Sequence, residues 1–200
     1  MRIELVIIQA LWLVLPAYIA NASALLLGGS MPVDFGKKWR DGKRLLGDGK
    51  TWMGLLFGTL IGMVGGFGLS VAAKYVSMNP DFSFLGLNDF MGFPFMIPIV
   101  FSLCFGALLG DLIESFFKRR AGIKRGGDWI PFDQLDFILG VLFLSFLVSG
   151  LLYFFGFTSY NWFTESFSFW HMATLIILTP FFHLFANFVN KMFQPEKRET

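Results

Sequence analysis

Five stretches of this chain are long and apolar enough to cross a bilayer as helices, and no other feature narrows its folding options as much. Spanning the hydrocarbon core takes about 20 mainly apolar residues per helix. The segments at roughly 3–27, 52–76, 94–117, 137–157 and 169–193 meet that length. Open strands leave backbone N–H and C=O groups unsatisfied in lipid, and no ten-residue alternation of the barrel kind is present in the sequence. The expectation is an all-α integral membrane protein, one membrane domain over residues 1–200 with five transmembrane helices. Charged residues make up 15% of the chain, against about 25% in soluble domains, and mean hydropathy is +0.63. The first stretch lacks a basic leader and a small-residue cleavage site, so it reads as a retained span. The single cysteine, Cys104, excludes an intramolecular disulfide. No internal repeat of the inverted-transporter kind is evident.

The net charge of +2 is too bland for a nucleic-acid binder, yet it conceals an asymmetry. Lys37, Lys38, Arg40, Lys43, Arg44 and Lys50 lie between the first two spans; Lys118, Arg119, Arg120, Lys124 and Arg125 lie between the third and fourth. Lys191, Lys197 and Arg198 follow at the C-terminal end, which leaves Arg2 and Lys74 alone on the other side. The positive-inside rule then predicts an outer N-terminus, with the loops at 28–51 and 118–136 and the C-terminus in the cytoplasm. The outer connections, around 77–93 and 158–168, contain Pro, Asn and Trp and read as interfacial caps.

Chemistry is expected in the two basic loops. The first combines glycines with Lys and Arg, a backbone that can approach phosphate oxygens closely. Gly49-Lys50-Thr51 imitates the end of a P-loop, but Arg44 stands where that motif requires glycine. A basic loop touching anionic head groups explains the same residues equally well. The second loop is more specific, because Asp111 and Glu114 sit in the last turns of an apolar span. An ionised carboxylate there is expensive, at least about 2.5–3.5 kcal/mol on insertion scales. Asp111, Glu114, Ser115 and Lys118 share one helical face, which should turn toward the protein interior or a watery cavity. Asp133 and Asp136 open the fourth span, where a helix cap accounts for one of them. Carboxylates beside a basic surface suit Mg²⁺-dependent phosphate chemistry, although an ion-binding transporter or channel subunit uses the same groups.

The run Gly110-Asp111-Leu112-Ile113-Glu114-Ser115-Phe116-Phe117-Lys118-Arg119-Arg120-Ala121-Gly122-Ile123-Lys124, with Asp133-Gln134-Leu135-Asp136 beyond it, resembles the G-D-L-x-x-S-x-x-K-R-x-x-x-x-K-D and D-R-x-D signature of the CTP:phosphatidate cytidylyltransferases. Lys50-Thr51-Trp52-x-Gly54 is similar to the K-T-W-x-G segment of that family. Arg125 and Gln134 depart from the pattern, its H-G-G segment is missing, and the first loop looks like that of the archaeal branch, the CDP-archaeol synthases. The alternative CDP-alcohol phosphotransferase motif D-G-x-x-A-R is not met at Asp41-Gly42-Lys43-Arg44.

The resemblance implies CTP and 2,3-di-O-geranylgeranylglyceryl phosphate as substrates, Mg²⁺ as cofactor, and a CDP-activated ether lipid and pyrophosphate as products; an ester-lipid phosphatidate acceptor is the alternative. It also implies Asp111, Asp133 and Asp136 as metal ligands, and Ser115, Lys118, Arg119 and Lys124 as catalytic groups on triphosphate or lipid phosphate. Lys50 and Thr51 match as substrate-binding residues, with Arg44, Asp48 and Asp34 added from the archaeal-type loop. His171 and His183, 12 residues apart, make a poor metal pair.

Overall fold

The computed structural model describes residues 2–123, 129 and 132–193, with side chains described through residue 181. Its helices are α1 (Ile3–Leu26), α2 (Trp52–Met78), α3 (Met96–Arg120), α4 (Phe132–Phe154), a short α5 (Trp162–Ser166) and α6 (Phe169–Phe193). No strand occurs among the described residues; the first loop carries only the isolated bridges Pro32–Thr51 and Lys38–Arg44. By length and composition α1 to α4 can each cross a membrane. The fifth expected span corresponds to the 25-residue α6.

Two boundaries shift in ways that matter. α3 runs on to Arg120, so Lys118, Arg119 and Arg120 occupy its last turn, where positive charge suits the helix dipole. α4 begins at Phe132 rather than 137, which takes Asp133 and Asp136 into the helix. Its entry is pinned at Trp129, whose carbonyl accepts the Asp133 N–H at 3.0 Å.

α3 is the central helix, packed on α1, α2 and most extensively on α4. Ile99, Val100, Leu103, Cys104 and Ala107 are buried there, with Ile138 and Val141 from α4 and Leu13, Val14 and Ala17 from α1. Apolar side chains gain little by leaving lipid for a protein interior, so membrane helices associate through close packing, which small residues permit. α2 follows that rule with Gly54, Gly58, Gly62, Gly66 and Ser70, one residue every turn and all buried. A Cβ at Gly58 would lie 2.8 Å from the Ala20 carbonyl oxygen of α1, and one at Gly62 2.7 Å from Cys104 Sγ of α3. The α3–α4 crossing is tighter still. A Cβ at Gly110 would strike the Asp136 carbonyl, and one at Gly140 the Gly106 carbonyl, so backbone lies on backbone.

The far end of the bundle is closed by its two connections. Asn88 donates to Ser166 Oγ at 2.9 Å and accepts from Trp162 Nε1 at 3.0 Å, while its carbonyl accepts from Trp12 Nε1 at 2.9 Å. Trp162 and Phe90 are fully buried beneath this clasp, as expected for capping loops. His171 lies here too, its ring 3.2 Å from Gln9 Oε1 and 3.1 Å from Ser168 Oγ.

The α3–α4 crossing has no side chain to yield when volume is added. Gly110→Ala should therefore lower stability in detergent by about 3 kcal/mol, the upper part of the overpacking range. Gly68→Ala, where a Cβ meets nothing within 4 Å, should leave the melting temperature unchanged.

Candidate active site

The glycine crossing determines which acids meet. With α3 and α4 in backbone contact at Gly110, the first turns of α4 lie beside the last turns of α3. One carboxylate oxygen each from Asp111, Glu114 and Asp136 then falls within 4.8 Å of the others. They line a cavity of about 630 Å³ whose other walls include Arg44, Gly47, Lys50, Ser115, Lys118 and Arg119. A second cavity of about 350 Å³ adjoins it through Leu25, Gly49, Lys50 and Asp111 and runs between α1, α2 and α3 past Asn21 and Tyr18. On the opposite side of the α3–α4 seam an apolar groove, lined by Ile113, Phe117, Phe132, Leu139 and Phe143, also reaches Glu114 and Asp136.

The acidic trio suits a hard divalent cation. Its donors are all carboxylate oxygens, the kind Mg²⁺ prefers. Glu114 is buried, and its Oε1 has no hydrogen-bond donor. A buried carboxylate oxygen without a hydrogen bond is costly, and its nearest cation, Lys118 Nζ, stands at 3.7 Å. Asp111 is paired at 2.5 Å with Lys50 Nζ from the first loop.

Asp133, expected with the metal ligands, lines the same cavity beside Glu114, but its oxygens are engaged by Lys118 and fall outside the group of three. Both its oxygens accept from Lys118 Nζ at 2.7 Å, and Oδ2 also accepts the Trp129 N–H at 2.9 Å. Glu114 takes its place in the cluster. The family signature treats that position as variable, but the three-residue spacing from Asp111 in an otherwise apolar span was the available signal.

The remaining expected residues divide between cavity wall and scaffold. Ser115 lines the cavity, its hydroxyl 3.5 Å from Glu114 Oε2. Arg119 reaches the Leu46 carbonyl at 3.3 Å and that of Ile123 at 2.8 Å, tying the two loops together. Thr51 is the N-cap of α2; its buried Oγ1 accepts from the Gly54 N–H at 3.1 Å and the Gly29 N–H at 3.3 Å. Lys124 lies outside the described residues.

Asp34 organises the first loop from within. Its buried carboxylate accepts from Arg44 Nη2 at 2.8 Å, Arg44 Nε at 3.2 Å, and the backbone N–H groups of Gly36, Leu46 and Gly47 at 3.0 to 3.3 Å. Burial alone would raise this carboxyl, but Arg44 and the three N–H groups outweigh it and hold Asp34 far below the usual carboxylate range. Asp34 and Asp48 together hold the Arg44 guanidinium above its usual value. Asp48, exposed on the rim, pairs with Arg44 at 2.8 Å. Arg44 is thus pinned between two carboxylates with an edge toward the cavity.

A family model for CarS-like proteins, CDP-archaeol synthase, matches residues 3–194. Among curated proteins, the CDP-archaeol synthase of Thermococcus kodakarensis is 40% identical over 182 residues, 91% of this chain and 90% of its own. That of Methanocorpusculum labreanum is 43% identical over 183 residues, covering 88% of this chain and 93% of the relative. A solved structure, described as an intramembrane enzyme for archaeal membrane lipid biosynthesis, superposes with a TM-score of 0.66 at 34% identity, covering 90% of this chain and 92% of its own.

Asp34→Asn removes an anion from five donors. Local stability of the loop should fall by about 2 kcal/mol, roughly thirty-fold faster amide exchange at Leu46 and Gly47. Because the folded Asp34 value is depressed, its contribution is complete above the unfolded value of about 3.9 and disappears as pH falls through the folded one. Hydrogen exchange in the wild type at pH 4.5 should therefore still show a protected loop, with protection lost only in stronger acid.

Proposed function

The chain belongs to the CDP-archaeol synthase family, and from that premise we propose that it transfers CMP from CTP to 2,3-di-O-geranylgeranylglyceryl phosphate in a Mg²⁺-dependent reaction. The observation that carries this reading is a cavity in which three carboxylates meet Arg44, Lys50, Lys118 and Arg119, with an apolar groove reaching two of the same carboxylates. The basic loops at that end support a cytoplasmic site with the N-terminus outside, by the positive-inside rule.

A lipid phosphate oxygen attacks the α-phosphorus of CTP, forming the new P–O bond as the bond to the β-phosphate oxygen breaks and pyrophosphate departs. A phosphomonoester is already nucleophilic near neutral pH, so no strong general base is required. The task is to bring two polyanions together and receive the charge of the leaving group. Held by Asp111, Glu114 and Asp136, Mg²⁺ would neutralise phosphate charge and fix the orientation of the triphosphate. Lys118, held by Asp133, and Arg44, held by Asp34 and Asp48, present positive charge without rearranging, as preorganised electrostatic stabilisation requires. The groove of Ile113, Phe117, Phe132, Leu139 and Phe143 offers an apolar path for an isoprenoid chain whose phosphate ends at the carboxylates. Asp133 serves in this reading as the positioning residue for Lys118 rather than as a ligand.

Purified protein incubated with labelled CTP should form CDP-lipid only when a divalent cation and a lipid phosphate are both present. CTP hydrolysis without lipid at a comparable rate would overturn the nucleophile assignment, and better turnover of phosphatidic acid would overturn the isoprenoid one. Asp111→Asn, Glu114→Gln and Asp136→Asn should each cut turnover by about a hundred-fold or more. Asp133→Asn should lower turnover while leaving the Mg²⁺ concentration for half-maximal rate unchanged.

A further inference from the structure

Lys50 makes the short ion pair with the acidic trio. Arg44 is committed to Asp34 and Asp48, and Lys118 makes both its short bonds to Asp133, outside the trio, with its ammonium 3.7 Å from Glu114. Lys50 Nζ instead sits 2.5 Å from Oδ2 of Asp111, a member of the trio. We propose that Lys50 is a tethered counterion that holds Asp111 until metal and nucleotide arrive together, and thereby couples the binding of the two. This inference rests on the reading of Asp111, Glu114 and Asp136 as metal ligands.

Three carboxylates with oxygens within 4.8 Å of one another repel strongly where solvent is partly excluded. An ammonium 2.5 Å from Asp111 relieves that repulsion without a metal. The same oxygen cannot both coordinate a cation closely and keep the ammonium, since two positive charges would then share one carboxylate face. A divalent cation arriving alone must displace Lys50 and leave it without a partner. Arriving with a triphosphate, it displaces Lys50 onto phosphate oxygens in the same cavity.

The local structure permits that movement. The Lys50 backbone is fastened, its carbonyl accepting the Val33 N–H at 2.7 Å and its N–H reaching the Gly47 carbonyl at 3.3 Å, and Thr51 next to it caps α2. The anchor is therefore fixed while the four-carbon stem carries the charge through rotatable bonds. Lys50 also lines both adjoining cavities, so its ammonium has space on either side of Asp111. By linkage, whatever factor CTP adds to metal affinity, metal adds to CTP affinity.

The test is Mn²⁺ binding to the full-length protein in detergent, read from the electron paramagnetic resonance of free Mn²⁺, first without nucleotide. Lys50→Gln should bind Mn²⁺ about five-fold tighter or more, the lower end of ordinary coupling, and Lys50→Arg should return to the wild-type value. Lys118→Gln, which removes an equal charge whose short bonds go to Asp133 and which stands 3.7 Å from Glu114, should change affinity less. In the second arm, the improvement in CTP binding caused by saturating Mn²⁺ should shrink in Lys50→Gln by the same factor of about five. Lys50→Met replaces Lys50→Gln if the latter fails a melting check. Equal Mn²⁺ affinity in wild type and Lys50→Gln, with binding still abolished by Asp111→Asn, overturns the counterion role alone. An equal gain in Lys118→Gln overturns it as well, since the effect would be one of general field. No Mn²⁺ binding in any variant overturns the metal reading of the trio and this inference with it.

Discussion

The approach of α3 to α4 without intervening side chains is the contact on which the remaining architecture depends. Gly106, Gly110 and Gly140 allow the two backbones to touch, and the contact at Gly110 falls on the carbonyl of Asp136 and one residue before Asp111. Were the helices to separate by the width of a methyl group, the carboxylates would spread and Lys118 would lose its hold on Asp133. Electrostatics alone would push these acids apart. The bundle opposes that repulsion with packing energy gathered along the full length of α3, where Ile99, Leu103 and Ala107 are completely buried.

Positive charge then serves two distinct ends. Arg44, Lys118 and Arg119 make their short bonds to partners outside the acidic trio, so they reinforce the walls of the cavity. Lys50 bears directly on the trio. The first loop reaches the centre because Asp34 collects five donors into a compact turn, and Arg119 and Lys43 tie that turn to the end of α3 through the Leu46 and Arg120 carbonyls. The interior beyond the cavity is filled by Leu103, Ala107, Ile138 and Val141. That packing favours a reactive pocket over the continuous pore a transporter subunit would need.

The spans were legible in the sequence because a bilayer imposes length and polarity on each helix separately. The stripe of Asp111, Glu114, Ser115 and Lys118 was legible for the same reason, as helical spacing is a local property. What could not be read were relations between elements. Nothing local distinguishes Asp136, which faces Asp111, from Asp133, which turns to Lys118; the difference is set by how α4 enters at Trp129. Asp34 was expected among the substrate-binding residues; its contacts with Arg44 and with backbone N–H groups 12 and 13 residues away are relations the sequence does not display. Thr51, matched through a family motif, proved to cap α2, a task that sequence context alone could equally have assigned to it. The α5 helix and the Asn88 clasp carry no periodic signal, since five residues are too few to display one.

The clasp has a consequence for the membrane as a whole. With Asn88, Trp162 and Ser166 sealing one end of the bundle and the acidic cavity at the other, the two ends are separated by helices of 23 to 27 residues, roughly 35–40 Å at 1.5 Å per residue. On the proposed reading, a head group held at the carboxylates would therefore belong to a single monolayer, with its chains extending into that monolayer. On the same reading, the activated lipid would be made and released in the leaflet that its acceptor already occupies, and supply of the other leaflet would call for transverse movement of lipid.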